Sequence, residues 1–143
     1  LYRRNAEAFR ARFAETLTRQ GWRSARRVLV LRSTRMWHVR STVESLRTVG
    51  AEVSLLGQNR IQPDLDDLGG LSKFYSYGDG HMHPDSIEPD LIRSIRDHQY
   101  DLVLVLYNNM TGRSYENVRK VAHRLAAGKV TGVGYDGSLL PVG

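Results

Sequence analysis

The chain has no cysteine in its 143 residues, so disulfides and thiolate metal sites are excluded and a reducing compartment is expected. No apolar run approaches the roughly 20 residues that a membrane-spanning helix requires. Neither GxGxxG nor GxxxxGK followed by Ser or Thr occurs, which argues against an ordinary nucleotide-binding loop. The acidic cluster that a phospho-accepting receiver domain needs around its first strand is also missing. There are no internal repeats, low-complexity tracts or linkers, and 41% of the residues are hydrophobic. Such a chain forms one domain, residues 1–143, with enough length to bury a sizeable core.

Lysine appears only three times, and the formal charge of +6 comes from arginine. Ten arginines (3, 4, 10, 12, 19, 23, 26, 27, 32 and 35) face only Glu7 and Glu15 within the first 35 residues, a local balance of +8 that leaves −2 for the rest. This asymmetry has two readings. Either the front end meets an anionic partner such as lipid head groups, nucleic acid or an acidic protein, or arginine is simply the chain's surface cation. Aromatic residues are not interleaved with the arginines at stacking intervals, so nucleic acid is the least favoured partner.

What is present is organised around residues 100–109, YDLVLVLYNN. Five consecutive apolar residues, Leu102 to Leu106, show no polar alternation. Both faces of that strand are therefore expected to be buried, as in a central strand of a parallel sheet covered on both sides by helices. Residues 27–33 (RVLVLRS) repeat the pattern and should be its neighbour. Between them the spacing predicts a helix ending at Gly50 with Met36, Val39, Val43, Leu46 and Val49 inward, then a strand over 51–57. Residues 58–72 read as a loop, 73–77 as a short strand and 78–84 as a second polar loop. A helix over 85–99 carries Ile87, Leu91, Ile92 and Ile95 inward. A further helix over 114–127 and a last strand over 129–134 complete the core.

Residues 2–19 form an amphipathic helix with Tyr2, Ala6, Phe9, Phe13 and Leu17 on one stripe. That stripe serves either packing, with Phe9 and Phe13 buried against the domain or a second subunit, or contact with a membrane surface. The predicted fold is α/β, a three-layer doubly wound, mainly parallel sheet in order 3-2-1-4-5 over residues 27–138, with the additional helix within 1–21.

Ligands of open α/β sheets bind beyond the carboxyl ends of the strands. Four loops should meet there: residues 34–38, 57–60, 107–113 and 135–138. His38 falls in the first turn of a helix opening at that edge. It is the candidate catalytic base, the alternative being a surface or capping histidine. Trp37 is either a platform for a sugar ring or core. Asn108, Asn109, Thr111 and Arg113 offer amide, hydroxyl and guanidinium donors suited to a hydroxyl-rich or anionic ligand, or else cap the helix that follows. Thr34, Arg35 and Asp136 complete the candidate ligand-binding set. His81 and His83, in GDGHMHPD, have metal-ligand spacing but no third ligand fixed by spacing, so a solvated loop is preferred to a metal site. No cofactor is expected.

RVLVLRS, the helix ending in SLRTVGAEVSLLGQ, YDLVLVL with its polar turn and KVTGVGYDGS together resemble the amino-terminal half of GT-B glycosyltransferases, in particular the heptosyltransferase-like group. The resemblance covers about residues 27–138. It implies a transferase fragment or subunit of surface polysaccharide or glycoconjugate synthesis, holding a sugar or sugar-phosphate acceptor. In that family a second, carboxyl-terminal domain binds most of the donor nucleotide-sugar, so a second transferase domain or subunit is the implied partner and catalysis by this chain alone is not expected. The family's glycine-rich turn carries a catalytic aspartate, which aligns with His38, while its glycines align with Arg35 and Trp37. The other reading of the whole chain is a non-catalytic α/β interaction module docking through its basic helix on a partner or on a second copy of itself. The expected location is cytoplasmic, with peripheral membrane contact through the basic helix as a further option.

Overall fold

The two unalternating apolar runs lie side by side at the centre of the sheet. A computed structural model describes residues 2–19, 26–32, 35–65, 68–108 and 114–140. The elements in chain order are α1 (Tyr2–Arg19), β1 (Arg27–Leu31), α2 (Met36–Thr48), β2 (Glu52–Gly57), β3 (Phe74–Ser76), α3 (Pro89–His98), β4 (Leu102–Leu106), α4 (Glu116–Leu125), β5 (Lys129–Val133) and β6 (Leu139–Leu140). Short 3-10 helices span Asn59–Leu65 and Pro84–Ser86. The strand order is β3-β2-β1-β4-β5-β6, and all neighbours are parallel except the β5–β6 pair.

Alternation survives inside the apolar runs, as a division between two cores. Val28, Val30, Leu102, Leu104 and Leu106 join Phe9, Phe13 and the inner residues of α2 on one face. Leu29, Leu31, Val103 and Val105 join Ile95, Val118, Val121 and Leu125 on the other. Every one of these strand residues is buried. Covering both faces contributes about 2 kcal/mol per large side chain, which is why neither face admits a polar residue. At the opposite edge, the Asp101 carboxylate accepts from the amides of Arg26 and Arg27 at 3.1 and 2.9 Å, pinning the start of β4 to the start of β1.

The structure departs from the sequence reading in four places. The stretch after β2 is not simply a loop: Ile61 and Leu65 are buried and anchor a 3-10 helix there. The third long helix starts at Pro89 rather than residue 85. Proline suits the first helical position, and it pushes Glu88 into an extended conformation (ψ 141°), so Ile87 is buried from a separate turn. The fourth helix starts at Glu116 rather than 114, since Ser114 takes a left-handed φ of 71°. Finally, the chain reverses after β5 and adds β6 as an antiparallel edge strand, pairing Val133 with Leu139 and Gly132 with Leu140.

That reversal seats α1. Gly137 has φ of +89°, and a Cβ there would lie 2.8 Å from the Phe9 carbonyl oxygen and 3.0 Å from the Phe13 amide nitrogen. Thr16 Oγ1 donates to the Gly137 carbonyl at 3.2 Å. Gly137→Ala should therefore cost stability twice, through left-handed backbone strain and by pushing α1 outward. A loss of about 1–3 kcal/mol is expected in denaturant unfolding. An unchanged midpoint would show that α1 is not held by this turn. Among the described residues no helix is long and apolar enough to cross a membrane.

Candidate functional site

The chain builds outward from β1 through β2 to β3, then returns to the other side of β1 to lay down β4. Between β1 and β4 the connections diverge, leaving a crevice at the carboxyl edge. A cleft of about 650 Å3 lies at this edge, lined by the ends of four strands. Arg32 follows β1, Gln58 and Arg60 follow β2, Tyr77, His81 and Met82 follow β3, and Asn108 follows β4. Ser114, Tyr115, Asn117 and Val118 close it from the amino-terminal end of α4.

Several contacts hold these side chains. The Arg32 amide donates to the Leu56 carbonyl at 2.9 Å, continuing the β1–β2 ladder by one bond. Gln58 is buried, and both ends of its carboxamide are engaged. Its Oε1 accepts from Arg32 Nη1 at 2.5 Å and its Nε2 donates to the Gly80 carbonyl at 2.6 Å. The Tyr77 hydroxyl donates to the same carbonyl at 3.0 Å. The Asp79 carboxylate accepts from the Arg60 amide at 3.2 Å, and the Tyr115 hydroxyl accepts from the Asn108 amide at 3.1 Å. Burial, followed by the nearby Arg60 charge, lowers the pKa of the Arg32 guanidinium. Burial raises the Tyr77 phenol against the opposing pull of Arg32 and Arg60. The cleft is thus a cationic recess with amide donors and two tyrosine rings in its wall.

Of the sequence-predicted site residues, Asn108 lines this cleft. His38 and Trp37 do not; they belong to the α1–α2 face. His38 has no exposed surface and is packed edge-on against Phe9 at 4.7 Å and stacked on Trp37 at 5.4 Å. Trp37 in turn meets Tyr135 edge-on at 5.3 Å. Among the described residues neither imidazole nitrogen of His38 has a hydrogen-bond partner; the Gly134 carbonyl is near but completes no bond. Burial lowers its pKa to about 4, outweighing that carbonyl. A neutral imidazole closed off by α1 acts as a packing residue here, not as a base open to solvent.

Asp136 lies in the β5–β6 turn. Burial pushes its carboxyl up, but the Ser138 hydroxyl at 2.6 Å and amide at 3.0 Å outweigh that and hold it below the usual range. It works as a turn residue on its own hairpin. Arg35 is exposed and opens α2, with its carbonyl accepting from the His38 and Val39 amides. Thr34, Asn109, Thr111 and Arg113 fall outside the described residues. The expectation that His38, Asp136 and Asn108 share one pocket is therefore replaced by two separate places: an aromatic cluster under α1, and the cleft on the far face of the sheet.

His81 lines the cleft, whereas His83 faces its own turn, with Nδ1 accepting from the Asp85 amide at 3.1 Å. Among the described residues no group of three or more His, Asp or Glu is placed to hold a metal ion. Sequence reasoning missed Arg32, Gln58, Arg60 and Tyr77 as site residues. The only signal was position, since each lies just past a strand that ends at the ligand edge, as ordinary loop residues also do. No family model matches this chain, and no curated protein matches it.

Proposed function

We propose that the chain is a GT-B-like acceptor half, an α/β domain that holds a sugar or sugar-phosphate in the carboxyl-edge cleft. The observation that carries this reading is the position of the cleft at the divergence between β1 and β4, where Arg32, Gln58, Asn108 and Asn117 converge. Amide and guanidinium donors beside tyrosine rings suit a hydroxyl-rich ligand, the rings facing its apolar side and the donors its oxygens. The resemblance of the strand ends and the Gly-aromatic-Asp turn to glycosyltransferase halves supports the same direction. In this reading a second transferase domain or subunit supplies the donor nucleotide-sugar and the acid-base chemistry, and His38 packs the domain instead of catalysing.

Backbone amide shifts during titration with a panel of neutral and phosphorylated sugars test the reading. Arg32, Gln58, Asn108 and residues 114–118 should move together, while Trp37 to Val39 stay still. Shifts confined to residues 36–39 and 135–138 would move the site to the aromatic cluster. No shifts at millimolar concentrations would remove the sugar-binding reading. In the alternative interaction module the docking face would be the arginine side of α1, since Arg10, Arg12 and Arg19 are exposed while Phe9, Phe13 and Leu17 are buried inside the domain.

A further inference from the structure

We propose that the carboxyl-edge cleft contains a phosphoryl subsite whose two cationic walls are Arg32 and Arg60. The inference deepens the acceptor-half reading, since it names the charged part of the ligand that enters the same cleft. Arg32 stands one residue past β1 and Arg60 three residues past β2, and both line the recess. Among the described residues neither forms an ion pair with a carboxylate, although Asp64 is near enough to Arg32 to be felt electrostatically. Asp79 instead spends an oxygen on the Arg60 backbone amide.

The Arg32 guanidinium is aimed by an unusual partner. Gln58 is buried and locked between the Gly80 carbonyl and Arg32 Nη1, so it fixes the fork without neutralising it. Arg32 Nε is buried and has no hydrogen-bond partner among the described residues. A half-buried guanidinium beside a second one is a costly arrangement unless an anion completes it. Phosphoryl groups match such a site. They carry close to two negative charges at neutral pH and three acceptor oxygens, and the planar guanidinium fork binds two of these at once. The start of α4, a helix of ten residues, forms the facing wall through Ser114, Tyr115, Asn117 and Val118 and adds the favourable end of its dipole.

The test is calorimetric titration of the full chain at constant ionic strength with glucose 1-phosphate, glucose and inorganic phosphate. Glucose 1-phosphate should bind at least tenfold more tightly than glucose, and inorganic phosphate should compete with it. Arg60→Ala, on an exposed position, should weaken glucose 1-phosphate about tenfold or more, as should Arg32→Met, while Arg93→Ala on the outside of α3 should change nothing. If Arg32→Met lowers the melting temperature, Arg60→Ala decides the matter alone. Equal affinity for glucose and glucose 1-phosphate, or unchanged glucose 1-phosphate affinity in Arg60→Ala, overturns the subsite and leaves the sugar-binding cleft standing. Inorganic phosphate binding as tightly as glucose 1-phosphate, and losing affinity in both variants, supports the subsite while removing the sugar reading.

Discussion

Replacing Phe9 and Phe13 together with Ser is expected to remove most of the domain's stability, a loss of about 5–8 kcal/mol. Both side chains have no exposed surface, and they stack on one another at 5.3 Å. Phe9 also meets Trp37 edge-on at 6.1 Å and covers His38. Burial alone is worth about 2 kcal/mol for each ring, and the unfilled space raises the cost of truncating a buried phenylalanine to about 3–5 kcal/mol. Because the rings touch, the double variant should cost less than the two singles added together. Urea unfolding followed by circular dichroism reads the effect as a midpoint shift toward zero denaturant. An unchanged melting temperature would show that α1 is a dispensable appendage and that the core under it is complete without it.

His38→Leu should flatten the pH dependence of stability between about pH 6.5 and 4. In the folded chain burial holds the imidazole neutral down to about pH 4, whereas an unfolded histidine takes up its proton near pH 6.5. Between those values the unfolded state binds more protons than the folded one. Stability therefore falls as pH falls through this window, and the loss stops below about 4, where both states are protonated. The separation corresponds to about 3 kcal/mol at the acid end. Leucine carries no proton and fills a similar space between Phe9 and Trp37, so the variant should lose this component while keeping the part due to carboxylates such as Asp136. It should also gain at neutral pH, because two buried nitrogens without partners are removed. Unfolding curves of both proteins at pH 7, 5.5 and 4.5 supply the comparison. A parallel pH dependence in the two proteins would mean that His38 reaches solvent or a partner in the folded state.

The position of the cleft follows from topology rather than from any motif. Arg32, Gln58 and Arg60 lie beside residues whose burial pattern was readable, yet nothing in their own spacing distinguishes them from solvated loop residues. Their meaning comes from the parallel register Leu31 to Leu56, which brings the ends of β1 and β2 together. It also depends on Gly80, twenty-two residues beyond Gln58, whose carbonyl pins the glutamine. His38 shows the converse. It sits at the edge where a catalytic group was expected, in a helix that starts where the spacing placed it. The helix α1, closing over it from the other end of the chain, turns a candidate base into part of a core.

By itself the sequence determined the class of the fold. Val28 to Leu31 and Leu102 to Leu106, apolar at every position, can only be satisfied by burial on two faces, and that requires helices above and below a parallel sheet. The stripe of Phe9, Phe13 and Leu17 likewise showed that this face of α1 leaves water, since three large side chains at helical spacing lose too much there, but not whether the domain, a second subunit or a membrane surface receives it. Only the tertiary structure decided which face α1 covers, that a sixth strand turns back at Gly137, and that Arg32 and Arg60 share one recess while His38 and Asp136 lie elsewhere. Periodicity reports how much of a side chain must leave water. It carries no information on which distant segment removes it, and a site is made of those distant meetings.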